Sequence, residues 1–297
     1  MRMSDFLGLL AGYGSDAPAD GRDGTDGGKT HTNDRDARDL LTAVAFESLA
    51  SGLDDARVAS LLRVLGWDGD VPCFAVAGRP AVNAAGALAA VDAAVSDLGG
   101  SSPIRGVHDG VVAAVVRVEA AGSPEVACTA MADAFDVART PLCLGPVRHG
   151  VSGAKATLGA ALATVAAAPA LVPAAPDGPS GAARRRRAAA PLRAEDALPE
   201  RALLGDEDAK RELVDVVYAS LAGGHGDNPD DPTMVTVSTF LASGGSLETT
   251  ARTLNVHPNT VRYRLKRAAD STGWDATDPR EAYVLTTAIA LGRMRAA

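Results

Sequence analysis

Between residues 255 and 275 the chain reads NVHPNTVRYRLKRAADSTGWD, with Arg262, Arg264, Lys266 and Arg267 ahead of the first acid, Asp270. These residue types suit a polyanion. Asn, Thr and Arg side chains offer hydrogen bonds to base edges, and Lys and Arg offer charge to phosphates. His257, Asn259, Thr260, Arg262, Tyr263, Lys266 and Arg267 are therefore the candidate contacts to double-stranded DNA. A run of cations is more often a solvated face than a reader. Here the flanking residues weigh the other way.

Those flanks position the segment. TMVTVSTFLAS predicts a helix facing a core through Val235, Val237, Phe240 and Leu241. Ser246 can cap a second helix, LETTARTL, with its hydroxyl on the free amides of the first turn. That helix holds the small Ala251 and ends at Asn255, a residue that tolerates left-handed backbone. Pro258 fits the first turn of a third helix, where its missing N–H costs nothing. Val261, Leu265 and Ala268 share one face of that helix, and Val256 and Val261 wedge the turn against the core. Asp278, Pro279 and Glu281 open a fourth helix with a capping-box pattern. Two helices joined by a short turn, the second one basic, describe a helix-turn-helix.

The rest of the chain carries the opposite charge. All 297 residues hold 29 Lys/Arg against 37 Asp/Glu, whereas residues 233–297 hold eight against five. An acidic body with a basic C-terminal unit points to that unit alone as the part that meets a polyanion. Aromatics make up only 4% of a chain that is 46% hydrophobic, so the cores should be alanine-rich and finely packed. No apolar run approaches the roughly 18 residues of a membrane span, and the N-terminal apolar patch is broken by Gly8 and Gly12. Cys73, Cys128 and Cys143 match no metal spacing and read as buried thiols of a cytoplasmic protein.

Five stretches follow from the pattern. Residues 1–34 are rich in Gly, Asp and Thr without a hydrophobic period, the composition of disorder. Residues 35–170 begin with two amphipathic helices, through Leu40, Leu41, Val44, Ala45 and Leu49 and then Val58, Leu61, Leu62 and Leu65. The order β-α-β-β-α-β-α follows, with the Asp109-Gly110 dipeptide marking a tight hairpin. That is the split βαβ arrangement, expected as a small antiparallel sheet with helices on one face. Residues 171–191 form a Pro/Ala linker containing Arg184 to Arg187, and 192–232 read as connecting helices, one with Leu213, Val216, Val217 and Leu221 inward. Residues 233–297 are the helix-turn-helix unit, giving an α+β chain with an all-α C-terminal domain.

The stretch from FLASGGSLETTARTLNVHPNTVRYRLKR to the closing AYVLTTAIAL resembles the C-terminal helix-turn-helix domain of the PucR/CdaR family of bacterial transcription regulators. The resemblance covers about 60 residues; Pro258 departs from it, standing where the family often has Arg, which removes one possible contact. It implies a DNA-binding regulator; because one helix-turn-helix reads about half a site, a homodimer is expected, with the helix pair of residues 35–65 and the closing helix of residues 279–295 as its candidate surfaces. The upstream segments LPERALLGDEDAKRELVDVVYASL and CLGPVRHGVSGAKATLGAALA are similar to actinobacterial members linked to control of fatty-acid synthesis genes. The split βαβ region resembles the family's degenerate diguanylate-cyclase-like domain. Its hairpin reads GVHDGVV where an active cyclase has a Gly-Gly-acid-acid signature, so the carboxylates that would hold Mg²⁺ are missing and no catalytic residue, metal or cofactor is assigned.

Three other features invite chemistry and carry less of it. GTDGGKT ends like a phosphate-binding loop, but Asp23 stands where its first glycine belongs and no strand precedes it. His108-Asp109 reads as turn chemistry rather than a metal pair. GAKAT, residues 153–157, opens a helix whose free amides could hold an anion, the best lead to a small-molecule effector. The sequence thus predicts a cytoplasmic DNA-binding regulator. The alternative is an effector-binding module whose helix-turn-helix makes protein contacts.

Overall fold

The computed structural model describes residues 27–119, 123–137, 139–171, 190–223 and 231–296. The chain is α+β, a six-stranded sheet with helices followed by an all-helical half. The first helix, α1 (Gly27–Ala50), starts ahead of residue 35, so the last part of the stretch expected to be disordered is helical; residues 1–26 lie outside the description. Helix α2 (Ala56–Val64) follows, capped by Asp55, whose carboxylate accepts from the amides of Arg57 at 2.9 Å and Val58 at 3.2 Å.

The sheet is built from β1 (Pro72–Gly78), β2 (Ile104–His108), β3 (Val111–Arg117), β4 (Cys143–Leu144) and β5 (Arg148–His149). Helix α3 (Ala84–Asp97) joins β1 to β2, α4 (Pro124–Met131) joins β3 to β4, and α5 (Gly150–Leu171) closes the unit. The order β2-β3-β1-β4, antiparallel throughout, is the predicted split βαβ topology. Asp109 and Gly110 both have positive φ, 49° and 74°, the backbone that a two-residue hairpin turn requires.

The helices cover both faces of the sheet, not the single face expected. Cys73, Ala75, Ala77, Ala113 and Val115 pack with Phe46, Leu49, Leu62, Leu158 and Val165 from α1, α2 and α5. Phe74, Val76, Val112, Ala114 and Val116 pack on the other side with Val91, Val95, Cys128 and Met131 from α3 and α4. A sheet buried on both faces needs apolar residues at every position, which PCFAVAG and VVAAVVR supply.

Helix α5 also corrects the expectation about apolar runs. By length and composition, with a mean hydropathy of 1.4, it is apolar enough to cross a membrane. Its Ala154, Leu158, Ala161, Val165 and Ala168 are instead buried in the sheet's first core. Thr157, fully buried, accepts the amide of Ala75 at 3.0 Å and so satisfies a β1 donor where β4 is too short to do it. All three cysteines are buried, and burial pushes the Cys73 thiol up to about 11 and those of Cys128 and Cys143 to about 12.

Residues 192–232 are not only connecting helices. Strand β6 (Leu192–Arg193) joins the sheet beside β4, in parallel, with the Leu192 amide on Leu142 O at 2.8 Å and the Ala194 amide on Leu144 O at 2.9 Å. Helix α6 (Leu198–Leu203) and helix α7 (Glu207–Glu212) come next, and α7 runs into a π-helical segment, Leu213–Tyr218. Arg201 braces this junction: its guanidinium lies 2.8 Å from the Asp206 carboxylate and donates to Ala194 O at 3.0 Å. The wider turn of the π segment carries Tyr218 inward with Leu213 and Val217, and leaves Val216, expected inside, 55% exposed.

Helices α8 (Pro232–Ala242), α9 (Leu247–Thr253), α10 (Pro258–Thr272) and α11 (Pro279–Ala296) complete the chain. Their core does not stop at residue 233. Leu198, Leu213, Val217 and Leu221 are packed together with Met234, Phe240, Leu265 and Leu285 in a single cluster. On α8 the buried apolar positions are Met234, Val237 and Phe240, with Thr233 and Thr236 buried beside them and Val235 only half-buried.

Candidate nucleic-acid interface

The turn between α9 and α10 forms as its residues dictate. Ser246 caps α9, accepting from the Thr249 amide at 3.2 Å, and Asn255 takes the left-handed conformation with φ 52°. The Val256 amide then reaches back to Ala251 O at 3.0 Å, which locks the turn. Ala251 is buried, and its small side chain lets α9 and α10 approach. Val261, Leu265 and Ala268 line the inner face of α10.

The outer face carries the predicted contacts. Asn259, Arg262, Tyr263, Lys266 and Arg267 are exposed, and Thr260 is half-buried. Tyr263 stands out at 68% exposure in the middle of this face, flanked by cations. His257 is exposed too, but it is the N-cap of α10: its Nδ1 accepts the Asn259 amide at 3.2 Å. One ring nitrogen is thereby committed to the helix start.

Two relationships escaped the sequence reading. Arg262 donates from Nη1 to Asn259 Oδ1 at 2.9 Å, one turn back, so the guanidinium is held rather than free to swing. Arg264, the remaining cation of the helix, points elsewhere and donates to Thr236 Oγ1 of α8 at 3.2 Å. Arg252, exposed in the last turn of α9, is a further cation close to the turn. Its signal was available, since the first helix of such a motif crosses the phosphate backbone.

Helix α11 starts differently from the capping box expected. Asp278 does cap it, accepting from Arg280 N at 2.8 Å and Glu281 N at 3.0 Å. The Glu281 carboxylate, however, takes the amide of Asp275 rather than that of Asp278. Arg280 forks onto Glu200 of α6, with Nη2 2.6 Å from Oε2, tying the closing helix to the connecting one.

The sheet domain's own leads are closed by its own residues. Gly106 of β2 lies against the ring of Phe46, and a β-carbon there would come within 2.1 Å of it, so α1 covers the hairpin strand. His108 Nδ1 lies 3.6 Å from Glu47, and no cluster of metal-binding groups occurs among the described residues. At the start of α5, which opens at Gly150 rather than Gly153, Ser152 Oγ and Lys155 Nζ both lie 2.7 Å from Asp54 Oδ2. Lys155 and then Ser152 hold that carboxyl below the usual range, so the chain supplies the anion itself. GTDGGKT lies partly outside the described residues, and Arg184 to Arg187 lie wholly outside them.

A split βαβ domain without the acidic hairpin, joined to a helix-turn-helix with a basic outer face, defines a class of two-domain protein. Residues 233–291 match the PucR C-terminal helix-turn-helix domain, and residues 50–167 match the GGDEF-like domain. The fold superposes on the crystal structure of a regulator of polyketide synthase expression from Bifidobacterium adolescentis with a TM-score of 0.76 and 51% identity, covering 86% of this chain and 94% of that one. Uncharacterized proteins of Mycobacterium tuberculosis and Mycobacterium bovis are 31% identical over 263 residues, 86% of this chain. This chain spans 58% of their length. It belongs to the PucR family of helix-turn-helix regulators.

Proposed function

We propose that this chain is a sequence-specific, DNA-binding transcription regulator acting in the cytoplasm, with α10 as its reading helix. The observation that carries this is the outer face of α10, where Arg262, Lys266 and Arg267 are exposed and Arg262 is oriented by Asn259. The N-terminal turns of such a helix approach base edges and its later residues follow the backbone. Asn259, Thr260, Arg262 and Tyr263 take the first role, His257 caps the helix at the groove, and Lys266 and Arg267 take the second. A helix-turn-helix used for protein contacts would expose an apolar face there instead.

The sheet domain is regulatory and not a cyclase in this reading, because GVHDG replaces the acidic metal-binding hairpin. Two leads converge on target genes for acyl-chain-building enzymes: the resemblance to regulators of fatty-acid synthesis genes, and the solved relative described as a regulator of polyketide synthase expression. The test is selection of bound fragments from the source genome, followed by binding of the recovered duplex across a salt series. A recovered site next to such genes, with affinity falling steeply as salt rises, is the expected result. Equal binding to recovered and scrambled duplexes would refute specific reading. Formation of a cyclic dinucleotide from GTP would refute the assignment of the sheet domain.

A further inference from the structure

We propose that Arg264 is the positioning residue of α10: it clips the helix to α8 and fixes which of its faces meets the groove. The inference rests on the DNA-binding reading and adds to it a cation that touches no DNA. Helix α10 carries four cations, and Arg262, Lys266 and Arg267 are exposed. Arg264 is the exception. It is half-buried, and its Nη1 donates to Oγ1 of Thr236, 28 residues earlier in the chain, at 3.2 Å.

Thr236 is placed to accept. It is fully buried in α8, and its hydroxyl donates to Pro232 O at 2.6 Å, one turn back. The hydroxyl proton is thereby committed, so the oxygen can only accept from a further partner. A guanidinium is a charged donor, which makes the stronger kind of hydrogen bond. Helix α8 is braced on another side as well, since Arg293 of α11 donates to Ser238 Oγ at 3.1 Å. Arg264 therefore ties the reading helix to an element that is itself held.

The place of Arg264 around α10 gives the tie its effect. Val261, Leu265 and Ala268 form the buried stripe, and Arg262, Lys266 and Arg267 stand outside. With 3.6 residues per turn, Arg264 falls between buried Ala268 and exposed Arg267, on the flank beside α8. The apolar stripe resists separation of the helices, but apolar attraction is non-directional and does little against a roll about the helix axis. A hydrogen bond on the flank is directional and stops the roll. At a side-chain radius of roughly 5–6 Å, a roll of about 20° moves a side-chain tip by about 2 Å. That breaks a hydrogen bond to a base edge, while charge still reaches the phosphates.

The experiment uses the full chain with Arg264→Met, Thr236→Val, the two combined, and Thr236→Ser. Each is melted, then titrated well below its melting temperature with the preferred and scrambled duplexes over a salt series. Arg264→Met and Thr236→Val should each lose about 10-fold on the preferred duplex, with little change on the scrambled one and the same salt slope. The combined variant should lose no more than either alone, and Thr236→Ser, which keeps the hydroxyl, should match the wild type. A salt slope reduced by about one unit in Arg264→Met would put Arg264 on a phosphate and overturn the proposal. So would additive losses, a Thr236→Val that binds as the wild type does, or a lower melting temperature with unchanged discrimination. If the wild type itself does not discriminate between the duplexes, it is the DNA reading that fails. The tie to α8 then stands if the melting shifts at positions 264 and 236 are non-additive, and falls if they add.

Discussion

The ring of Tyr218 lies directly on Gly292: a β-carbon on that glycine would sit 2.3 Å from the ring's Cγ and 2.4 and 2.6 Å from its two Cδ atoms. The π segment turns Tyr218 inward, and the closing helix can approach it only where it has no side chain. Asp215 and Arg295, 2.6 Å apart, pair across the same contact.

Gly292→Ala therefore sets two effects against each other. In a helix interior Ala is better than Gly by about 1 kcal/mol. Overpacking a filled contact costs roughly 1–3 kcal/mol, and a 2.3 Å approach belongs at the upper end. The expected net is a loss of about 1–2 kcal/mol, read as a lower urea midpoint with an unchanged slope. A stabilised variant would mean that the two elements are not in contact.

Within the reading helix, three substitutions should separate three roles. Arg262→Ala should cost roughly 1–3 kcal/mol on the preferred duplex and relax base preference there. Lys266→Ala should weaken all duplexes alike and reduce the salt slope by about one unit. Val261→Ala removes a buried wedge and should lower the melting temperature before it alters specificity. Binding isotherms on preferred and scrambled duplexes over a salt series measure all three. Identical behaviour of Arg262→Ala and Lys266→Ala would rule out the orientation argued for α10.

A fragment starting at residue 233 should not fold cooperatively, although that is where the helix-turn-helix match begins. It leaves behind Leu198, Leu213, Val217 and Leu221, which fill the same core as Met234, Phe240 and Leu285. A fragment starting at residue 192 keeps them. Circular dichroism melts of the two fragments should show a sigmoidal transition only for the longer one.

Glu212 gives the stability a pH dependence of known sign. Its pKa is raised above the ordinary 4.5, first by burial and further by Glu195 and Asp206, against Arg148 and Arg201. A group raised in the folded state stabilises it fully below the unfolded pKa, and that contribution is lost as pH rises through the folded one. Glu212→Gln, neutral throughout, should melt higher than the wild type at pH 7 and level with it near pH 4. A variant that melts lower at pH 7 would show that the 3.9 Å pair with Arg148 outweighs burial.

The helix-turn-helix could be read from sequence because its signals are local. Ser246, Asn255 and Pro258 each specify the backbone at their own position, and all three stand where they were expected. The hairpin at Asp109-Gly110 is local in the same way. What failed depends on distant partners. Helices on both faces of the sheet were implied by the unbroken apolar runs of β1 and β3, but only the packing shows what covers each face. Strand β6 is two residues long, too short for any period, and it exists because β4 offers an edge. The shift from Val216 to Tyr218 needs the π segment, which no residue pattern announced. The hold of Asn259 on Arg262 follows from helical spacing and could have been anticipated.

Strand β6 changes what the segment before it is. The chain leaves the sheet domain at Leu171, the end of α5, and returns to the same domain at Leu192, beside β4. The connection between Leu171 and Leu192 is thus anchored at both ends on one domain. The reach of the reading helix is then set by β6, by the hydrogen bond from Arg201 to Ala194 and by the core that α6 and α7 share with it. Lengthening that connection would leave this geometry unchanged. Even severed there, the two pieces would have a strand pairing to hold them in register.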